Sequence, residues 1–258
     1  MKPSYRHGVP LLLMALVLVT GCTPPLELRG DNRLEGLLPP PTAYPEGFDV
    51  DQVRVEELDE GTDNGGYTRV EPEQCGAVLS GGTGWFPEGA EKGAAQIADP
   101  LYSSLGSVVY GYVHVSGDFG DTPVEGTGFE RLLDSCDQLT AHFHGDSVDG
   151  TLVSETSPSL PEGGGMTVLT LSSGEETEKV TRTAWGQVGD VYFVLVAMHT
   201  ISPADAPVGA LSEACRDDVG MECTQAQEEE LVAEAIERQA KEFESVLAQA
   251  VEGLETVF

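Results

Sequence analysis

The chain has 258 residues, 40% hydrophobic and 7% aromatic, with 44 Asp plus Glu against 13 Lys plus Arg and a formal charge of −31. That length and apolar share suit one folded domain with a tail and exclude wholesale disorder. A surface this acidic repels phosphate backbones and anionic lipid heads, which excludes nucleic-acid binding and polybasic membrane docking; it favours solubility, cationic ligands or a salty medium.

The first 22 residues carry the strongest motif. Lys2 and Arg6 precede the apolar run Val9–Val19, which at 11 residues is too short for a spanning helix, since that needs roughly 20. Val19-Thr20-Gly21-Cys22 then sets small residues before a thiol, the pattern of a lipoprotein export signal. Residues 1–21 are read as a cleaved signal peptide and Cys22 as the lipidated mature N-terminus. The expected location is the extracytoplasmic face of the cell membrane, with the lipid on Cys22 as the membrane contact. Cleavage removes two cations and no acid, so the mature chain would carry −33.

Residues 22–48 are read as the lipidated cysteine and a Pro-rich tether, with Pro24-Pro25, Pro39-Pro40-Pro41 and Pro45 and no hydrophobic period. Leu37 and Leu38 mark where docking onto the domain begins. Residues 49–258 are then a single binding or sensor-like domain. Glu60, Thr62, Asn64, Gly65 and Glu71 approach a calcium-loop spacing, but Glu and Thr stand where Asp or Asn belongs, so a solvated acidic turn is the better reading.

Export changes the meaning of the other cysteines. Cys75, Cys136, Cys215 and Cys223 make an even number in an oxidising compartment, which predicts two disulfides. The seven-residue loop between Cys215 and Cys223 closes easily and leaves Cys75 for Cys136. No C-x-x-C pair supports a zinc site.

Regular structure is predicted downstream. Val108–Val115 alternates, with Val109, Val113 and Val115 on one face and Tyr110, Tyr112 and His114 on the other. Phe129, Leu132, Leu133 and Cys136 fall at helical spacing, and Asp137–Gly145 then alternates as a strand. Thr151–Thr156 and Met166–Leu171 read as strands, and Glu178–Val188 with Val191–His199 reads as a hairpin across Gly189-Asp190. Val191–Met198 is apolar on both faces, which places it mid-sheet under cover on both sides. From Thr224, a capping box and the stripe Val232, Ile236, Ala240, Phe243, Leu247, Ala250 and Leu254 predict a long helix laid on the sheet.

No G-x-S-x-G elbow, H-E-x-x-H helix, Walker sequence or G-x-G-x-x-G fingerprint occurs in the sequence. The chain is therefore expected to be non-enzymatic, with no catalytic residues and no cofactor. Two constellations remain. His142 and His144 project to one face of a strand and His114 could join them as a zinc or copper site, although exposed strand histidines explain them as well. Tyr110, Tyr112, Trp185 and Tyr192 could line a groove for an apolar or sugar-bearing envelope ligand, although core under the C-terminal helix competes with that reading.

The order of lipobox, Pro-rich tether, Pro72-Glu-Gln-Cys75, strand, helix ending in Cys136, antiparallel strands through Gly189-Asp-Val-Tyr-Phe-Val194 and final helix resembles a known group over roughly residues 37–252. These are the actinobacterial lipoproteins related to the extracellular sensor domain of PknH-like serine/threonine kinases. The resemblance implies an α+β fold, a central antiparallel sheet with helices, two disulfides and a cleft for an unidentified ligand. The expected fold is thus α+β, with five to six antiparallel strands packed by helices including the long C-terminal one. The expected function is non-enzymatic capture of an envelope ligand or protein by a monomer, the alternatives being an acidic module regulating another envelope protein or a metal-binding lipoprotein.

Overall fold

The computed structural model describes residues 28–60, 67–80, 86–87, 89–101, 107–119, 133, 135–143, 146–173, 176–201 and 225–258. Ten strands form one sheet: β1 (Arg29–Gly30), β2 (Phe48–Val53), β3 (Arg69–Glu71), β4 (Ala90–Pro100), β5 (Ser107–Gly117), β6 (Gln138–Phe143), β7 (Asp146–Glu155), β8 (Gly165–Ser173), β9 (Glu176–Val188) and β10 (Val191–Thr200). Their spatial order is β1-β4-β5-β10-β9-β8-β7-β6-β3, and β2 also lies along β4. All pairings are antiparallel except β1 with β4. Short helices α1 (Asn32–Glu35) and α2 (Gly76–Ser80) precede the long α3 (Gln225–Glu255).

This corrects the expected α+β architecture of five to six strands. Among the described residues the protein is mostly β, with ten strands and one long helix. One disulfide, Cys75–Cys136, is present among the described residues, whereas Cys215 and Cys223 lie outside them, as do Cys22 and most of the helix expected before Cys136.

The sheet centre follows from β10. Val191, Phe193, Leu195 and Ala197 pack with Phe243, Val246, Leu247, Ala250 and Leu254 of α3, while Tyr192 and Val194 point into a second cluster on the other side. That second cluster runs from Leu28 and Val55 at one end of the strand row to Val70 and Cys75 at the other. Beneath the first turns of α3, Val168, Val180 and Ile201 form a third cluster with Val232 and Ile236. Arg182 is buried there and donates to Gln239 of the helix, so a charge under α3 is met by an amide.

Residues 28–44 are docked. Leu34 and Tyr44 are buried in the α3-side cluster and Leu37 and Leu38 pack against it. Asp31 caps α1 by accepting from the amides of Arg33 at 2.9 Å and Leu34 at 3.3 Å, and it also meets Lys92 at 3.2 Å. The Lys92 contact first, then the amides, holds its carboxyl below the usual carboxylate range. Inside, Gln96 donates to the Pro39 carbonyl at 3.0 Å and to Tyr44 Oη at 2.7 Å, and His114 Nε2 donates to the Leu34 carbonyl at 2.9 Å.

Gly165 sits directly across from Trp185. A β-carbon there would lie 2.5 Å from Trp185 Cζ2 and 2.8 Å from Cε2, whereas one on Gly253 in α3 would meet nothing within 4 Å. Gly165→Ala is expected to cost about 1–3 kcal/mol through overpacking. Gly253→Ala should gain about 0.5–1 kcal/mol, because alanine loses less backbone freedom in a helix. Urea midpoints of the two variants against wild type check both signs. The disulfide bridges a separation of 61 residues. By loop-closure entropy, Cys75→Ser with Cys136→Ser should lose roughly 2–4 kcal/mol on the same measurement.

Candidate functional site

The four aromatic residues expected to line a ligand groove do not share one. Tyr110 and Tyr112 lie on the α3 side of β5, under Tyr44, Phe48 and Phe193, with ring centroids at 5.7 Å for Tyr44–Tyr110 and 6.3 Å for the stacked Tyr112–Phe193 pair. Trp185 and Tyr192 face the opposite side, within the second cluster. The sheet itself separates the pairs, and all four are buried. Burial raises the phenols of Tyr110 and Tyr112 above their ordinary range and that of Tyr44 to about 12, so these rings are neutral core side chains.

The histidines are equally dispersed. His114 is fully buried beneath α1, and His142 lies on β6 with Nε2 3.5 Å from Glu71 Oε1. Strands β5 and β6 are five steps apart in the sheet, a contour of roughly 24 Å at strand spacing. His144 lies outside the described residues, and among the described residues no cluster of three His, Cys, Asp or Glu could hold a metal ion.

What the fold does leave open is one face of the far half of the sheet. Helix α3 lies over β9 and β10 and reaches Val168 of β8, but β7, β6 and β3 extend past it. On β7, Val148, Gly150 and Leu152 turn inward while Asp149, Thr151, Val153 and Glu155 are exposed. Register lines these up with neighbours across the strands: Asp149 with Thr140 and Thr140 with Glu71, Thr151 with Gln138 and Thr170, and His142 with Arg69 and Ser147. Thr140 Oγ1 donates to Asp149 Oδ1 at 3.1 Å, and Arg69 pairs with Glu71 at 2.6 Å. Val153, 46% exposed, lies on this surface, whereas Phe143, 47% exposed, shares the other face of β6 with Leu139 and Ala141 and stands against Tyr67. Glu71, Asp149 and Glu155 outweigh Arg69, so the surface is acidic.

Sequence reading missed this surface, although its signal was present. The segment 147–155 alternates polar and apolar as a strand covered on one side only, and a strand begun at Thr151 leaves out its first half. Two clefts flank the sheet ends. One of about 590 Å³ is lined by Thr68, Arg69, Val70, Glu71 and Glu73. The other, of about 650 Å³, lies between β1 and β2 over Gly93–Ala95, with Arg29, Arg54, Glu35 and Glu56 among its lining.

His114 gives the protein a measurable pH response. Burial, only partly offset by the bond to the Leu34 carbonyl, lowers its pKa from 6.5 to about 4. As pH falls the unfolded chain takes this proton first, so the contribution is full above 6.5 and is lost progressively toward 4. The expected loss is roughly 3 kcal/mol over that window. Urea unfolding across pH should show the decline in wild type and a flatter profile in His114→Gln, whose amide can still donate to Leu34. Equal slopes would remove His114 as the cause.

No protein-family model matches the chain, and no curated protein matches it. Solved structures do. A putative uncharacterized protein from Mycobacterium smegmatis is similar at 14% identity and a TM-score of 0.36, over 83% of this chain and 92% of that one. The extracellular domain of PknH from Mycobacterium tuberculosis is similar at 12% identity and a TM-score of 0.42, over 81% of this chain and 95% of that one. At these scores the likeness carries no argument about fold or function.

Proposed function

We propose that the chain is a lipid-anchored, extracytoplasmic, non-enzymatic binding domain that engages a basic partner protein through the open face of β3, β6 and β7. The observation that carries this reading is the one-sided cover of β7, where inward residues are buried and Asp149, Thr151, Val153 and Glu155 are not. A paired, ordered strand surface with a polar row and an apolar side chain offers shape and hydrogen-bonding groups without needing to be built on contact. Its carboxylates favour a cationic partner and raise the encounter rate. The aromatic residues that would have argued for small-ligand capture are committed to the core, so the protein-interaction reading takes precedence.

The lipid on Cys22 would confine the search for that partner to the layer next to the membrane. No described helix is long and apolar enough to cross a membrane, and the anchor reading rests on the N-terminal motif alone.

A photo-crosslinking residue in place of Val153, compared with one in place of exposed Glu252 on α3, tests the surface in producing cells. The expected result is a discrete protein adduct from position 153 and none from position 252. No adduct from 153, or the same adduct from both positions, would overturn the reading.

A further inference from the structure

The region between β1, β4 and the Gly189-Asp190 turn, where α3 ends, has a different chemistry. Arg29 is aligned with Lys92 across β1 and β4. Lys92 meets Asp31 at 3.2 Å, Arg33 meets Asp190 at 3.1 Å, and the Arg33 guanidinium lies 5.4 Å over the Phe258 ring. The adjoining cleft adds Arg54, Glu35 and Glu56. Four of the chain's 13 Lys and Arg, Arg29, Arg33, Arg54 and Lys92, thus meet there with Asp31, Glu35, Glu56, Glu91 and Asp190, so the region is far less acidic than the rest of a chain of net charge −31. Two apolar side chains stand out from it, Val257 at 55% exposure and Phe258 at 50%. Apolar and aromatic tips beside guanidinium and ammonium groups suit the headgroup layer of a bilayer, where one end of a side chain is apolar and the other wet.

Chain length points the same way. Leu28 is buried and begins the docked segment, and it follows Cys22 by six residues. Those residues reach at most roughly 20 Å when fully extended. A lipid on Cys22 would hold the β1 end of the sheet at the membrane. The body beyond it is more acidic and is repelled by anionic headgroups, so this cation-rich patch is the face that electrostatics turns toward them.

We propose that the patch formed by Arg29, Arg33, Lys92, Val257 and Phe258 docks on the bilayer that holds Cys22 and sets the orientation of the domain. This rests on the lipid-anchor reading. Phe258 packs at the Gly189-Asp190 turn between β9 and β10 and Arg33 pairs with Asp190 there, so the docked edge is the strand end that carries this turn. Docking needs both attachments. The patch without the lipid has too little apolar area to hold the surface, and the lipid without the patch would leave the domain free to tumble.

The test uses the full chain, exported and lipidated through its own signal, in vesicles of phosphatidylglycerol and phosphatidylethanolamine with or without brominated acyl chains. Phe258→Trp is compared with Phe143→Trp at the far edge, each read as the difference from wild type. Flotation with the vesicles, a blue shift and loss of most of the added emission for Phe258→Trp, and neither change for Phe143→Trp, is the expected result. Flotation with equal quenching at both positions, or at neither, would overturn the docked orientation and leave the anchor standing. Failure to float would overturn the anchor reading and the docking with it.

Discussion

Strand β10 has no polar face, and every other element is arranged around that fact. Val191 through Ala197 could not be left against water on either side, so each side of the sheet needed its own cover. Full-length antiparallel pairing with β5 and β9 satisfies its backbone, leaving the side chains to specify what packs above and below. On one side the answer is α3 together with the docked segment 28–44. On the other it is a cluster gathered from β4 through β9 with Cys75 and Cys136, whose disulfide closes the far end.

Cover on the α3 side runs out before the sheet does. A 31-residue helix has finite width, and it lies over the central strands, leaving β7, β6 and β3 dry on one face only. The composition of those strands agrees with the geometry: small or apolar inward, and Thr, Ser, Asp and Gln outward. The open surface is therefore specified by sequence rather than left over from folding, and that is why it is the functional reading of choice.

The strands with strong alternation or continuous apolar character, β5 through β10, were legible in the sequence, as was α3. Strands β1 to β4 were not. β4 reads Ala-Glu-Lys-Gly-Ala-Ala-Gln-Ile-Ala-Asp-Pro, whose Ala and Gly are poor strand formers and which is buried because the docked segment lies close above it. β2 alternates Phe48 and Val50 with Asp over only six residues, and its first residue falls in the segment read as tether. Within α3 the expected stripe began at Val232, but Leu231, Ala235 and Gln239 are the buried positions in the first half. Gln239 hid that face because it is polar, and it is polar because Arg182 lies beneath it.

Periodicity could not reveal that the candidate residues are kept apart. Alternation says which residues share a face within one strand, but faces on different strands can be compared only once register is known. Trp185 is opposite Val194 and Tyr110 is opposite Ala197, and these two pairings put the aromatic pairs on opposite sides of the sheet. The same limit applies to His114 and His142, which share a local pattern but belong to strands with four others between them. His114 instead spends one ring nitrogen on the Leu34 carbonyl, tying the docked segment to the sheet centre. Once that tie is made, residues 28–44 belong to the cover of the sheet, and that cover begins before Leu37 rather than beyond Phe48.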